Sequence, residues 1–215
     1  MANLETFGWN WHAFAGSAHA LKWNRRDLPC LEAVIAQTPG RTVAVQAGGN
    51  LGIFPKRLAR DFATVYTFEP AADLFAMLVR NAPEPNIVKF QAAVGDSHEG
   101  VSLSRIRRDD KPHHHEGITH VCGPGAIPTL RIDDLGLRVC DLICLDVEGW
   151  ECQALRGAAA TIARCRPVVV VEVNKNTAFV GVTLDQVRAL VTVHGYRFVA
   201  RLRSDELYVP AERAA

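Results

Sequence analysis

The sequence predicts an α/β protein with a doubly wound, mostly parallel seven-stranded sheet whose last strand is antiparallel. Short β-branched stretches alternate with helical stretches along the chain, which is typical of parallel strands joined by right-handed helical crossovers. The stretch PVVVVEV at 167–173 is apolar at nearly every position, as in a strand covered on both faces. The final predicted strands, 196–202 and 206–209, are separated only by a tight turn and must run antiparallel.

The first half of the chain is predicted to hold a leading helix and then alternating strands and helices. Asp27 occupies an N-cap position and Pro29 the first turn of the leading helix, which Pro39 and Gly40 end. The elements that follow are a strand at 42–46, a helix at 53–62, a strand at 64–68, a helix at 72–81 and a strand at 86–94.

Residues 98–128 interrupt this alternation. The stretch is polar and rich in His, Gly and Pro, and it is too long for an ordinary connection, so we expect a functional loop, an insertion or a lid. Beyond it, Thr183 and Gln186 form a capping box at the start of a helix. The other elements of this half are a strand at 140–146, a helix at 150–164 and the three strands that close the chain.

Composition limits the class of protein. The 215 residues are 48% apolar and 22% charged, with a formal net charge of +1, which suits one domain with its own core. The balanced charge argues against a dominant electrostatic hold on nucleic acid or an anionic membrane. The six cysteines form no CxxC pair, which argues against a zinc ribbon and favours free thiols. We expect a cytoplasmic protein, since no secretion signal or apolar span is recognisable.

A glycine-rich turn after the first strand is the strongest ligand-binding signal. It runs from Gln46 to Gly52 as QAGGNLG, and glycines there let the backbone approach a ligand at a helix N-terminus. Glu69 lies 21 residues beyond Gly48, at the tip of the second strand, where such folds hold a ribose diol. The alternative is an ordinary turn followed by a solvated Glu.

The glycine spacing distinguishes between two nucleoside cofactors. The run GGNLG does not match the GxGxxG of dinucleotide sites. It fits acid-x-G-x-x-x-G, the first motif of class I methyltransferases, with Gln46 in place of the acid.

Several segments together resemble the FkbM family of S-adenosylmethionine-dependent methyltransferases. The resemblance covers residues 42–174, and the tail at 183–209 agrees with the class. It implies a Rossmann-like fold with strand order 3-2-1-4-5-7-6 and methyl transfer to a hydroxyl oxygen of a sugar or small molecule. The segments that carry it are VQAGGNLG, VYTFEP, AAVGD, LDVEGWE, the Gly-Ala at 157–158 and PVVVVEVN.

The resemblance also implies a division of the single domain at 1–215. Residues 1–41 would be an N-terminal segment and helix, and 42–96 the cofactor-binding half. Residues 98–128 would be the insertion or lid, and 129–209 the acceptor-side half.

By resemblance, S-adenosylmethionine would be held along the edge where the strands end. Glu69 would accept from the ribose hydroxyls, and Asp146 would face the transferable methyl group. The other implied cofactor-binding residues are Gln46, Gly48, Asn50 and Gly52 near the methionine part, and Pro70, Ala93 and Val94 around the adenosine.

Two positions depart from the family pattern. Gln46 replaces an Asp and Gly49 replaces an Ala. An amide keeps an acceptor but loses the charge, and a charge-assisted hydrogen bond is roughly twice as strong as a neutral one. We therefore expect weaker cofactor binding, with a degenerate, non-catalytic binding protein as one alternative function.

Asp146 is the predicted general base, with Glu148 as the second candidate. Glu148 could instead cap the following helix or pair with an Arg, and Glu172 could join the cluster. Convergent carboxylates could also bind Mg²⁺ or Ca²⁺, so a divalent metal is possible but not predicted.

The expected partner is a small-molecule or sugar hydroxyl acceptor. An RNA methyltransferase is a further alternative, although nucleic acid is an unlikely partner at this net charge. No membrane partner is expected, and a homodimer is possible. The histidines at 113–115 and the basic stretch from Arg105 to Lys111 are interpreted as a solvated loop, and Trp150 is expected near the mouth of the site.

Overall fold

The computed structural model describes residues 27–106, 118–174 and 181–213. The helices are α1 (Leu28–Gln37), α2 (Ile53–Leu58), α3 (Ala72–Asn81), α4 (Glu151–Arg156), α5 (Ala159–Cys165) and α6 (Leu184–Thr192), with a 3₁₀ turn at Ile132–Leu135. The strands are β1 (Val43–Ala47), β2 (Thr64–Phe68), β3 (Ile87–Phe90), β4 (Ala93–Val94), β5 (Val101–Ile106), β6 (Ile118–Pro124), β7 (Thr129–Leu130), β8 (Leu142–Leu145), β9 (Val168–Glu172), β10 (Tyr196–Leu202) and β11 (Asp205–Pro210).

Seven of these strands form one sheet in the order β10-β11-β9-β8-β1-β2-β3. Neighbours from β9 to β3 are parallel, whereas β11 runs antiparallel to both β9 and β10. Numbered along the chain and taken from the β3 edge, the seven sheet strands follow the order 3-2-1-4-5-7-6. The predicted fold class and strand order are therefore confirmed.

The core lies on both faces of the sheet because successive strand residues point to opposite sides. Leu142 and Cys144 of β8 pack in a cluster with α1, α2 and α3. Ile143 and Leu145, the alternate residues, pack in a second cluster with α4, α5 and α6. Every residue of β8 is buried, as expected for a central strand covered by helices on both faces.

Three predicted elements differ from the structure. The strand predicted at 86–94 is interrupted after β3, and β4 pairs with β7 in a separate two-stranded sheet. The helix predicted at 150–164 is two helices, since the chain at Gly157 contacts another loop: a Cβ there would lie 1.8 Å from the Gly95 carbonyl oxygen. Helix α2 ends at Leu58 instead of residue 62.

Of the two predicted N-caps, one makes its capping hydrogen bonds and the other does not. Asp27 occupies the N-cap position of α1, but its side chain makes no capping hydrogen bond. The capping box of Thr183 and Gln186 at the start of α6 is confirmed, with both reciprocal hydrogen bonds present. All six cysteines are free, and none of the described helices is long and apolar enough to cross a membrane.

The stretch at 98–128 contains an antiparallel hairpin, β5 paired with β6. Val101 and Val121 pack with Ala93 in a small core of their own, so the hairpin is anchored next to β4. The histidines at 113–115, the charges from 107 to 111, and the tryptophans Trp9 and Trp11 lie outside the described residues.

Candidate active site

A cavity opens where β1, β2 and β8 end at the same edge of the sheet. We call it the central cavity. It is bounded by the turns after these strands, by β4 and by one face of the hairpin. Its lining residues are Ala47, Gly48, Asn50, Phe68, Glu69, Pro70, Leu74, Ala92, Ala93, Val94, Leu103, Arg105, Thr119, Val121, Asp146, Val147, Glu148 and Trp150.

Gly48 brings the turns after β1 and β8 into contact. Its φ is +86°, and an added Cβ would lie 1.9 Å from the Asp146 carbonyl oxygen. A side chain here would meet backbone that cannot move aside, so only glycine fits. The amides of Gly48 and Gly49 also donate to the Phe68 carbonyl oxygen, at 3.0 and 2.8 Å, which ties the same turn to the end of β2.

Glu69 is fixed by backbone amides on two sides. Its Oε2 accepts from the amide of Asn50 at 2.7 Å, and its Oε1 accepts from the amide of Ala71 at 2.9 Å. The side chain is 5% exposed; burial raises its pKa, and the two amide hydrogen bonds oppose that rise. Because a carboxylate oxygen has two acceptor sites, each can accept a further hydrogen bond from a ligand in the cavity.

Another part of the lining is apolar. Ala92, Ala93 and Val94 are buried there, and Phe68, stacked on Phe90 with a centroid separation of 4.8 Å, supports the wall behind them. Small apolar side chains of this kind suit a flat aromatic ring.

Arg105 joins the hairpin to α3 across the edge of the central cavity. Its Nη1 and Nη2 donate to the two carboxylate oxygens of Asp73 at 2.9 and 3.0 Å, and its Nε donates to Thr119 Oγ1 at 3.1 Å. Arg105, interpreted as part of a solvated stretch, lies on β5, where it lines the central cavity while its ion pair stays partly exposed. Strand periodicity could have placed it, since Leu103 and Arg105 share one face of β5.

Three carboxyl groups meet beside the cavity. Asp146 follows β8, Glu172 ends the neighbouring β9, and Glu148 lies in the turn between β8 and α4. One oxygen of each lies within 4.8 Å of the others. Glu148 occupies the left-handed region with φ 53°, which allows the turn to fold back towards the strand ends.

Burial and mutual repulsion both disfavour the ionised forms of these carboxyl groups. Burial raises the pKa of Asp146 well above its ordinary value, and the charges of Glu172 and Glu148 add to the rise. The pKa of Glu172 is raised in the same way, by burial first and then by Glu148. Like charges this close do not both ionise readily, so ionisation of Asp146 and ionisation of Glu172 are coupled.

Glu151 holds the turn that carries Glu148. It is 1% exposed, and its Oε1 accepts from the amides of Val147 and Gly149 at 3.3 and 3.1 Å. Burial raises its pKa to about 7. The two amides precede α4, so Glu151 holds the turn and does not cap the helix.

Two of the predicted cofactor-binding residues do not line the central cavity. Gly52 packs against α3, where an added Cβ would lie 3.2 Å from atoms of Leu78 and Ala82. Gln46 is 1% exposed. Its Nε2 donates to the carbonyl oxygens of Ala47 and Gly48 at 3.1 and 2.8 Å, and its Oε1 accepts from Thr67 Oγ1 at 2.6 Å.

Gln46, predicted to lie near the methionine part of the cofactor, is placed behind the turn and outside the lining of the central cavity. Its amide nitrogen and oxygen already make hydrogen bonds to the turn and to Thr67 on β2. The side chain therefore supports the turn from the side behind the cavity. The remaining predicted residues come together in the lining: Gly48, Asn50, Glu69, Pro70, Ala93, Val94, Asp146 and Glu148.

The three carboxylate oxygens of the cluster are also close enough to contact one small divalent cation. Acidic groups cluster in this way in many proteins without an ion, and we assign no metal to the site.

Comparison with known proteins places the chain among methyltransferases. The family described as the methyltransferase FkbM domain matches residues 53–198. A crystal structure of the methyltransferase FkbM from Methylobacillus flagellatus KT aligns with 18% identity and a TM-score of 0.53. That alignment covers 79% of this chain but only 43% of the other.

A second similar structure is a SAM-dependent methyltransferase of the DUF858 family from Leishmania major. It aligns with 14% identity and a TM-score of 0.52, covering 93% of this chain and 79% of that one. At these identities the structures show a shared fold. No curated protein matches the sequence.

The hydrogen bonds of Gln46 predict a measurable coupling with Thr67. We expect Gln46→Leu to lower the free energy of unfolding by about 1–3 kcal/mol, because it leaves the Thr67 hydroxyl and the Gly48 carbonyl without their buried partner. Thr67→Val is the matched variant that removes only the hydroxyl. In denaturant titrations the double variant should lose less than the sum of the single losses; strict additivity would contradict the pairing.

Removal of the Arg105–Asp73 ion pair should make the hairpin of β5 and β6 open faster. An exposed ion pair contributes up to about 1 kcal/mol, so Arg105→Ala should speed amide hydrogen exchange in β5 and β6 by up to roughly fivefold. Arg203→Ala, which removes a 3.7 Å contact to Asp27 elsewhere, is the control. Unchanged exchange in Arg105→Ala would show that the apolar packing alone holds the hairpin.

Proposed function

Because the chain belongs to the FkbM methyltransferase family, we propose that it transfers a methyl group from S-adenosylmethionine to a hydroxyl oxygen of a small molecule or sugar. The observation that carries this proposal is one cavity in which Glu69 and Asp146 both lie in the lining. The first is suited to a ribose diol and the second to the proton of an attacking hydroxyl.

The residues of the central cavity fit the nucleoside part of this cofactor. Glu69 keeps acceptor capacity on both oxygens after binding Asn50 and Ala71, which suits two adjacent hydroxyls. Gly48 lines the cavity without a side chain, and its close approach to the Asp146 carbonyl oxygen keeps the turn after β1 next to Asp146. Ala93 and Val94 offer an apolar wall for the adenine, and Pro70 borders the ribose side.

When bound, the cofactor would supply an electrophilic methyl group on sulfur. The residues of this chain would then orient the acceptor hydroxyl and remove its proton. As the oxygen–carbon bond forms and the carbon–sulfur bond breaks, the hydroxyl proton passes to Asp146. Proton acceptance by a positioned carboxylate contributes roughly 10²–10⁴-fold to rate.

Glu172 makes Asp146 a better base than a buried carboxylate alone would be. A proton removed from the acceptor enters a pair that already shares one proton and has room for a second. Glu148, in the same cluster, is the second candidate for this role.

The organisation of the domain follows from the same proposal. Residues 42–96 would bind the cofactor, 129–209 would face the acceptor, and the hairpin within 98–128 would close the cavity on one side. The proposal also includes that the protein can form a homodimer and that it is located in the cytoplasm.

Calorimetric titration with S-adenosylhomocysteine, the product of the cofactor, tests the site directly. We expect binding by the wild type and a loss of roughly ten- to hundredfold in Glu69→Gln, since hydrogen bonds to a charged group contribute about 1.5–3 kcal/mol. Glu212→Gln, which neutralises an exposed carboxylate outside the cavity, is the matched control. Failure of the folded wild type to bind would favour the non-catalytic alternative.

A proton shared by Asp146 and Glu172 should give a pH-dependent carboxyl signal that can be measured without the methyl acceptor. Infrared difference spectra against Asp146→Asn should show a protonated carboxyl of the wild type persisting above the ordinary range of aspartate. In Glu172→Gln the signal of Asp146 should disappear at a lower pH, because a neighbouring negative charge no longer opposes ionisation. An unshifted signal in that variant would mean that the two carboxyls do not interact.

A further inference from the structure

A second cleft lies beside the central cavity, between the base of the hairpin and α4. We call it the lateral cleft. It has a volume of about 350 Å³, within the range of small-molecule sites. Trp150 lines both spaces. The other lining residues are Gly95, Asp96, Ser97, Glu99, Gly100, Val101, Gly123, Pro124, Thr129, Gln153 and Arg156.

Three side chains of this lining carry a buried polar atom without a partner. They are Thr129 Oγ1, Trp150 Nε1 and Gln153 Oε1, none of which has a hydrogen-bond partner among the described residues. Thr129 is 4% exposed. Each buried polar atom left unpaired costs about 1–3 kcal/mol, so three on one wall indicate a group that binds there.

The backbone brings two of these side chains together. At Gly95 an added Cβ would lie 2.7 Å from Thr129 Cγ2 and 3.4 Å from Trp150 Nε1. The opposite wall is braced by hydrogen bonds between the two sides of the hairpin base: Val101 N to Ile127 O at 2.8 Å and Gly125 N to Gly100 O at 2.9 Å. The cleft is therefore built from firmly held backbone.

The donor and acceptor properties of the three unpaired atoms indicate which chemical group would bind in the cleft. The indole N–H only donates, the Gln153 oxygen only accepts, and the Thr129 hydroxyl does both. A ligand hydroxyl can accept from the first and donate to the second. Among the charged lining residues, Arg156 lies 3.8 Å from Asp96 and offsets its charge, while Glu99 leaves one negative charge that disfavours an anion. The indole ring adds an apolar surface.

We propose that the lateral cleft binds a neutral polyhydroxylated unit, a sugar or polyol. The assignment stands independently of methyl transfer, because it rests on residues outside the central cavity apart from Trp150. Two sources share this chemistry: a part of the methyl acceptor away from the reacting hydroxyl, or a separate saccharide ligand.

Saturation-transfer NMR on the full chain tests the proposal. The probes are methyl α-glucopyranoside, methyl α-mannopyranoside, sucrose and myo-inositol. We expect saturation transfer to at least one probe, and a roughly two- to tenfold loss of affinity in both Gln153→Met and Thr129→Val, the equivalent of one hydrogen bond. Thr192→Val, on the exposed face of α6, should bind as the wild type does.

Binding of S-adenosylhomocysteine to the same variants separates this proposal from the proposed function. It should be unchanged in Gln153→Met, since Gln153 does not line the central cavity. Saccharide binding that requires S-adenosylhomocysteine assigns the lateral cleft to the acceptor; binding that is equal without it assigns a separate ligand. No saturation transfer to any probe, or transfer that both variants retain, would overturn the proposal.

Discussion

The approach of the turn after β1 to the turn after β8 is the constraint on which the site depends. Gly48 and the Asp146 carbonyl oxygen are so close that a Cβ would sit 1.9 Å from that oxygen. This contact places the glycine turn, which faces Glu69, against the strand end that carries Asp146. The parallel order of β2, β1 and β8 makes the approach possible, because it brings all three carboxyl ends to one edge.

The acidic cluster lowers the free energy of unfolding by an amount that depends on pH. The pKa values of Asp146 and Glu172 are raised in the folded protein, so in the range between their ordinary and raised values the folded state holds more protons than the unfolded chain. Stability therefore falls as pH rises through that range. Outside this pair, backbone amides offset part of the cost of burying the carboxylates of Glu151 and Glu69.

Local patterns predicted much of the fold, and distant contacts account for what they missed. The strand at 64–68 and the helix at 72–81 have the predicted bounds, since their periodicity is complete within each segment. The break between α4 and α5 depends on Gly157 meeting the Gly95 carbonyl, 62 positions earlier in the chain. Arg105 likewise pairs with Asp73, and a single sequence gives no sign of that partner. That Glu69 and Asp146 lie near each other could be predicted, because the carboxyl ends of the strands converge at one edge of the sheet in this fold class.

The two departures from the family pattern form one local arrangement. Thr67, on β2, donates to Gln46 Oε1, and its Oγ1 lies 2.9 Å from where a Cβ on Gly49 would be. An alanine at 49 would meet Leu78 Cδ1 first, at 2.2 Å, and then that hydroxyl. An aspartate at 46 would lack the amide donor that the Gly48 and Ala47 carbonyls receive. Gln46 and Thr67 therefore form a neutral, hydrogen-bonded arrangement behind the turn in this chain. In this chain the amide of Gln46 therefore supports the turn that ends at Gly48, because a shorter, negatively charged side chain could donate to neither carbonyl.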